Sequence, residues 1–148
     1  MIKQAITTSV EQTEAFGEEI AAALTSDASL PRFIALYGDL GVGKTAFVRG
    51  LARVLAPGAA VRSPTFALVN EYRAKPCPVF HFDMYRIESE DELESIGFYD
   101  YLDRGLCVVE WSENIGYALP ESYLKIEIIK SDPAFPDKRE ITVNLIHQ

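Results

Sequence analysis

The sequence predicts an α/β fold of three layers, with a largely parallel central sheet and an antiparallel hairpin at one edge. Three observations predict it. The apolar run Phe33-Ile34-Ala35-Leu36-Tyr37 leads straight into the glycine-rich octapeptide Gly38-Asp39-Leu40-Gly41-Val42-Gly43-Lys44-Thr45 and then into a helix-like segment from Thr45 to Leu55. The run Gly105 to Glu110 is apolar without alternation and ends in an acid, as does a strand buried on both faces. The final runs, Tyr123 to Ile129 and Ile141 to Ile146, do alternate, and the polar segment 131–138 between them carries two prolines, so they form a hairpin.

Each element has its own local cause. Thr8-Ser9-Val10-Glu11 resembles a capping box, and Val10, Ala15, Phe16, Ile20, Ala23 and Leu24 follow at near-helical spacing, giving a first helix from about Ser9 to Thr25. The helix after the glycine-rich loop stops near Pro57-Gly58. Thr65 to Tyr72 and Pro78 to Asp83 read as strands, with Ala74-Lys75-Pro76 as a hairpin-like connection. Ser89-Glu90-Asp91-Glu92 is a second capping box, which opens a short helix ending near Gly97.

The 148 residues are expected to form one domain, since no repeat, low-complexity tract or linker divides them. Fourteen basic against 22 acidic residues leave a net charge of −8, a field that repels polyanions and argues against a direct grip on nucleic acid. Cys77 and Cys107 form no CxxC or metal-type cluster and read as buried free thiols in a reducing compartment. No basic leader precedes an apolar stretch, and no apolar stretch approaches a membrane span, so the expected location is the cytoplasm, away from any membrane.

The octapeptide fits G-x-x-x-x-G-K-[ST], and its strand and helix flanks are those a phosphate-binding loop (P-loop) requires; an incidental glycine-rich turn needs neither. Glycines at 38, 41 and 43 permit positive φ, so successive backbone N–H groups can curl around a phosphate at the positive end of the helix. Gly38, Asp39, Leu40, Gly41, Val42, Gly43, Lys44, Thr45 and Ala46 are therefore the candidate nucleotide contacts. Lys44 brings a mobile charge toward the β- and γ-phosphates, and Thr45 a hydroxyl for Mg²⁺. The site also needs an acid at the carboxyl end of a neighbouring strand, and two segments offer one, at Asp83 and at Glu110. Period-two geometry puts His81 on the same strand face as Asp83, either to act with it or as a hydrogen-bonded structural histidine. Ser63 and Thr65, on either side of Pro64, sit where a γ-phosphate sensor is expected.

Gly38–Thr45, Ser63-Pro64-Thr65-Phe66, His81-Phe82-Asp83-Met84-Tyr85-Arg86, Asp91 to Gly97 and Val109-Glu110-Trp111, in this order, resemble the TsaE family, bacterial ATPases of tRNA threonylcarbamoyladenosine biosynthesis. The resemblance runs from about Thr13 to Arg139. It implies ATP and Mg²⁺ as cofactors, Thr45 and Glu110 as Mg²⁺ ligands, and Asp83 in the metal's water shell or the hydrolytic step. Lys44, Asp83 and Glu110 are thus the catalytic candidates. It further implies Trp111 and Arg86 supporting the site or a partner surface, and Thr13 and Arg139 on the base side of the nucleotide. The implied partners are TsaD and TsaB, which modify adenosine 37 of tRNA; tRNA itself is met only indirectly, and hydrolysis is weak without the partners.

Three other readings stay open at the level of sequence, one of them a binding-only scaffold, since sequence does not show turnover. A small-molecule kinase uses the same loop but usually closes an arginine-bearing lid. Here the carboxyl-terminal third holds only Arg104 and Arg139, and of the rest Arg62 and Arg86 are placed best to approach phosphates. A regulatory GTPase would carry Asn-Lys-x-Asp, which none of Asn70, Asn114 and Asn144 begins.

Overall fold

In a computed structural model, residues 3–39, 41–64 and 68–148 are described. The elements are β1 (Lys3–Thr7), α1 (Val10–Ser26), β2 (Phe33–Tyr37), α2 (Lys44–Leu55), β3 (Val69–Tyr72), β4 (Val79–Asp83), α3 (Glu90–Ser95), α4 (Phe98–Tyr101), β5 (Leu106–Glu110), a 3₁₀ segment (Ser112–Ala118), β6 (Ser122–Ile129) and β7 (Arg139–His147). The strands join in one seven-stranded sheet in the order β1-β7-β6-β2-β5-β4-β3. Its centre, β6-β2-β5-β4, is parallel. The flanking pairs β6–β7, β7–β1 and β4–β3 are antiparallel.

Period-two alternation along β2 divides the core. Ile34 and Leu36 point into a cluster with Phe16, Ile20 and Leu24 of α1 and Phe47, Val48 and Leu51 of α2. Phe33 and Ala35 point the other way, toward Leu93 of α3, Phe98 of α4 and Ile115 of the 3₁₀ segment. The sheet is thus the middle of three layers, and both faces of β5 are buried, as its unbroken apolar run requires.

Helices α1 and α2 meet at two glycines. A methyl group at Gly50 would overlap the backbone carbonyl of Glu14, and one at Gly17 that of Phe47. Above this contact Glu14 accepts from Arg49 at 2.9 Å and Arg53 at 3.2 Å. The close crossing carries the start of α1, with Thr13, against the glycine-rich loop, where Thr13 Cγ2 would be an ordinary neighbour of a Cβ at Gly43.

Several expectations shift. The hairpin β6–β7 exists but does not close the sheet, because β1 adds beyond β7 and forms the edge. The segment Lys-Gln-Ala-Ile-Thr is mostly exposed and lacks a clean alternation; its strand is made by pairing with β7. The first cap is Ser9 rather than Thr8. Ser9 Oγ accepts from the Gln12 N–H at 3.1 Å, and Gln12 Oε1 takes the Thr8 N–H at 2.7 Å, so Gln12 rather than Glu11 completes the box. The second box forms as read, with the Glu92 N–H donating to Ser89 Oγ at 3.2 Å. Strand β3 is described from Val69, while residues 65–67 lie outside the described residues. Cys107 is buried and burial pushes its thiol up to about 12, but Cys77 is only partly buried. Among the described residues no helix is long and apolar enough to cross a membrane.

Candidate functional site

The parallel centre of the sheet sets the site. Strands β2, β5 and β4 all end at the same edge, and the register puts Asp83 directly beside Glu110. At that edge β2 runs into the loop, whose Gly38, Gly41 and Gly43 have φ of 147°, 77° and 107°. Those angles are open to glycine and costly for residues with a Cβ. Gly43 is the N-cap of α2 without a side-chain cap, so the first N–H groups of the helix open onto the loop.

A cleft of about 360 Å³ lies over this edge. It is lined by Gly41, Gly43, Lys44 and Thr45 of the loop, by the acids Asp83 and Glu110, and by Ser63, Tyr85, Arg86 and Trp111. A smaller hollow of about 110 Å³ on the other side of the loop gathers Thr13, Val42, Ala46 and Arg139 with Val10 and Asp137. Thr13 and Arg139 thus share one hollow beside the loop. Asp39 is exposed and its carbonyl closes a turn onto the Val42 N–H at 3.3 Å. Leu40, Thr65 and Phe66 lie outside the described residues.

Lys44 is buried rather than freely mobile, with 5% of its surface exposed. Its Nζ donates to the Gly38 carbonyl at 2.5 Å and lies 4.0 Å from the centre of the Trp111 ring. Burial lowers the pKa of its ammonium, and the charges of Glu110, Glu113, Asp83 and Asp39 oppose that shift. Trp111 reaches the lysine because it adopts a left-handed φ of 59° immediately after β5. That turn folds the chain back over the cleft, and Asn114 Nδ2 secures it by donating to the Met84 carbonyl at 2.9 Å.

The two acids differ in their company. Asp83 Oδ1 accepts from the Tyr85 N–H at 2.9 Å, which fixes the strand-to-loop turn. Glu110 Oε2 is 2.5 Å from His81 Nε2, and His81 Nδ1 is 3.0 Å from the Tyr72 hydroxyl. Both ring nitrogens of His81 are thereby taken up, so its polar partner on the shared face is the acid of the adjacent strand instead of Asp83. Tyr72 was invisible as a site residue in the sequence, because nothing local links it to position 81; only the β3–β4 pairing does.

Two residues of the smaller hollow have polar partners of their own. Thr13 is buried, its hydroxyl sharing a hydrogen bond with that of Thr7 at 2.8 Å. Arg139 Nε donates to the Val42 carbonyl at 2.8 Å and Nη2 to that of Gly41 at 3.5 Å, so the arginine holds the loop itself. Arg86 lines the cleft, but Arg62 lines a separate groove with Asn70, Tyr72 and Arg73.

Comparison with known proteins matches residues 7–141 to the family model described as "Threonylcarbamoyl adenosine biosynthesis protein TsaE". A Bacillus subtilis protein named "tRNA threonylcarbamoyladenosine biosynthesis protein TsaE" is 41% identical over 114 residues, covering 76% of this chain and 69% of the relative. A Rickettsia bellii relative of the same name is 33% identical over 126 residues, 84% of this chain and 85% of its own length. The crystal structure of Bacillus subtilis YdiB superposes with a TM-score of 0.73 at 32% identity and covers all of this chain and 88% of its own. A family model spanning nearly the whole chain, with relatives alike along most of it and a solved structure that shares its fold, places this chain in the TsaE family.

Proposed function

We propose that this chain is a P-loop ATPase that binds and hydrolyses ATP in support of tRNA N6-threonylcarbamoyladenosine formation, acting with TsaD and TsaB. The observation that carries the proposal is the convergence, at one sheet edge, of a positive-φ glycine loop, a buried lysine and two adjacent carboxylates. The names of the relatives give the pathway. The loop geometry supports a phosphate-bearing substrate, because backbone N–H groups at a helix start cradle phosphate oxygens.

Each group has a task that follows from its position. The loop N–H groups and Lys44 neutralise the β- and γ-phosphates in a cleft where water screens poorly. Thr45, Glu110 and Asp83 are the residues that would hold Mg²⁺ or its water shell, and when bound that ion supplies charge compensation on the phosphate oxygens. The fit is chemical: a hydroxyl and two carboxylates, the acids only 5% and 4% exposed, are hard oxygen donors facing one cleft. His81 takes one oxygen of Glu110 and fixes the carboxylate's rotamer. Asp83 and Glu110 are also the two acids placed to orient an attacking water.

Phosphate release from ATP, measured with and without a TsaD–TsaB pair, tests the proposal. Slow release by the chain alone and a rise of about tenfold or more with the pair are expected. Transfer of the γ-phosphate to a metabolite would make the chain a kinase, and absence of release under both conditions would overturn the reading.

A further inference from the structure

Tyr72, His81 and Glu110 come from three neighbouring strands and form one buried hydrogen-bonded line. Tyr72 Oη is 3.0 Å from His81 Nδ1 and donates at 3.3 Å to the backbone carbonyl of Arg62. His81 is fully buried and Glu110 4% exposed. Arg62 precedes Ser63, which lines the cleft together with the two acids. The line therefore joins the segment before Ser63, through β3 and β4, to the Glu110 carboxylate.

An imidazole has two faces to choose between. Rotated by a half turn about χ2, His81 would present a carbon where Glu110 now has a nitrogen, and the short contact to Oε2 would be lost. The Tyr72 hydroxyl adds to the preference that Glu110 sets, since it gives Nδ1 a partner only when Nε2 faces Glu110. A phenylalanine in place of Tyr72 would keep the ring contact with His81, whose centroids are 5.9 Å apart, and remove that added preference.

We infer that Tyr72 is a positioning residue for Glu110, acting through His81, and that its second contact ties the acid to the backbone of Arg62, just before the cleft residue Ser63. The inference rests on the hydrolytic reading of the site above. It names a residue of β3, outside the loop and outside the two acid-bearing strand ends, as a determinant of turnover. Because Tyr72 does not line the cleft, its loss acts on the orientation of the acid and leaves the loop's hold on the nucleotide intact.

The test is Tyr72→Phe in the full chain, read in two ways. The chain has two histidines, and His147 is exposed, so the His81 ring nitrogens can be followed individually by long-range proton–nitrogen NMR of the nucleotide-free protein. Wild type should give a fixed Nδ1–H donated to the Tyr72 oxygen, whose own proton goes to Arg62, and Tyr72→Phe should broaden or shift the signals of both ring nitrogens while the remaining spectrum stays that of a folded protein. In turnover assays kcat should fall about tenfold with KM for ATP within twofold. Added to a His81→Gln background, Tyr72→Phe should have no further effect on kcat, since the intermediary is gone. An unchanged His81 signal, an unchanged kcat, or an additive loss in the His81→Gln background overturns the inference and leaves the ATPase reading standing. A wild-type chain without any ATP turnover, with or without the TsaD–TsaB pair, overturns both.

Discussion

Lys44 has two attachments that a bound nucleotide competes with, the Gly38 carbonyl and the Trp111 ring. Lys44→Ala removes a charge that the phosphates require and should weaken ATP binding about 100-fold by calorimetry. It also removes a buried stem and a cation–π contact, so unfolding by denaturant should show a loss of about 1 kcal/mol in a chain that still folds. Glu110→Gln keeps the volume and an acceptor for His81 but loses the charge. Phosphate release should drop about 100-fold while the thermal midpoint barely moves. If Asp83→Asn proves the more damaging of the two, Asp83 is the principal metal ligand and the roles exchange. What could be foreseen at this scale was local. Gly38 to Thr45 is contiguous, and an eight-residue pattern between a strand and a helix carries its own geometry. The pairing of His81 with Glu110 joins positions on separate strands, and no periodicity along one strand can say which neighbour its side chains will meet.

The helix pair α1–α2 shows how an element far from the chemistry places part of the site. Gly17 and Gly50 let the backbones approach, and the ion pairs of Glu14 with Arg49 and Arg53 lie over that crossing. The hydrogen bond from Arg49 is the main reason the Glu14 carboxyl is held below its ordinary value of 4.5, with burial opposing it and Arg53 adding to it. A carboxyl whose pKa is lower in the folded state contributes stability above its unfolded pKa and loses it as pH falls through the folded value. Glu14→Gln should therefore lower the thermal midpoint at pH 7, and the gap from wild type should narrow progressively as pH falls below about 4. A gap that does not narrow on acidification would mean that packing, not charge, holds this contact. The elements that could be read in advance were those with their own period or cap, namely α1, α2, α3 and the long strands. Strand β1 could not be read, because five largely exposed residues become a strand only by pairing with β7. The 3₁₀ segment 112–118 likewise owes its place to the turn at Trp111, a backbone conformation that no residue preference announces.

Over the whole molecule the excess of acids dominates at long range. With a net charge of −8, filter binding of tRNA by this chain alone should be weak and should vanish by about 0.2 M salt. Salt-resistant binding with a dissociation constant below about 1 μM would contradict an indirect role for tRNA. The alternation of a parallel centre with antiparallel margins was half foreseen: the central strands and the hairpin followed from their patterns, while the edge position of β1 rests on a pairing with β7 that its own sequence does not announce. Arg139, at the start of the last strand, grips the carbonyls of Gly41 and Val42, and the Val42 contact spans 97 positions of sequence. That contact imposes a chronology on biosynthesis. The ribosome makes the glycine loop early and its clamp late, and β1 waits just as long for β7. A nascent chain stalled before position 139 holds every glycine of the loop and the lysine beside them, yet lacks the arginine that shapes the loop's far side. In the proposed ATPase the loop therefore takes its final form only once the last strand has been made.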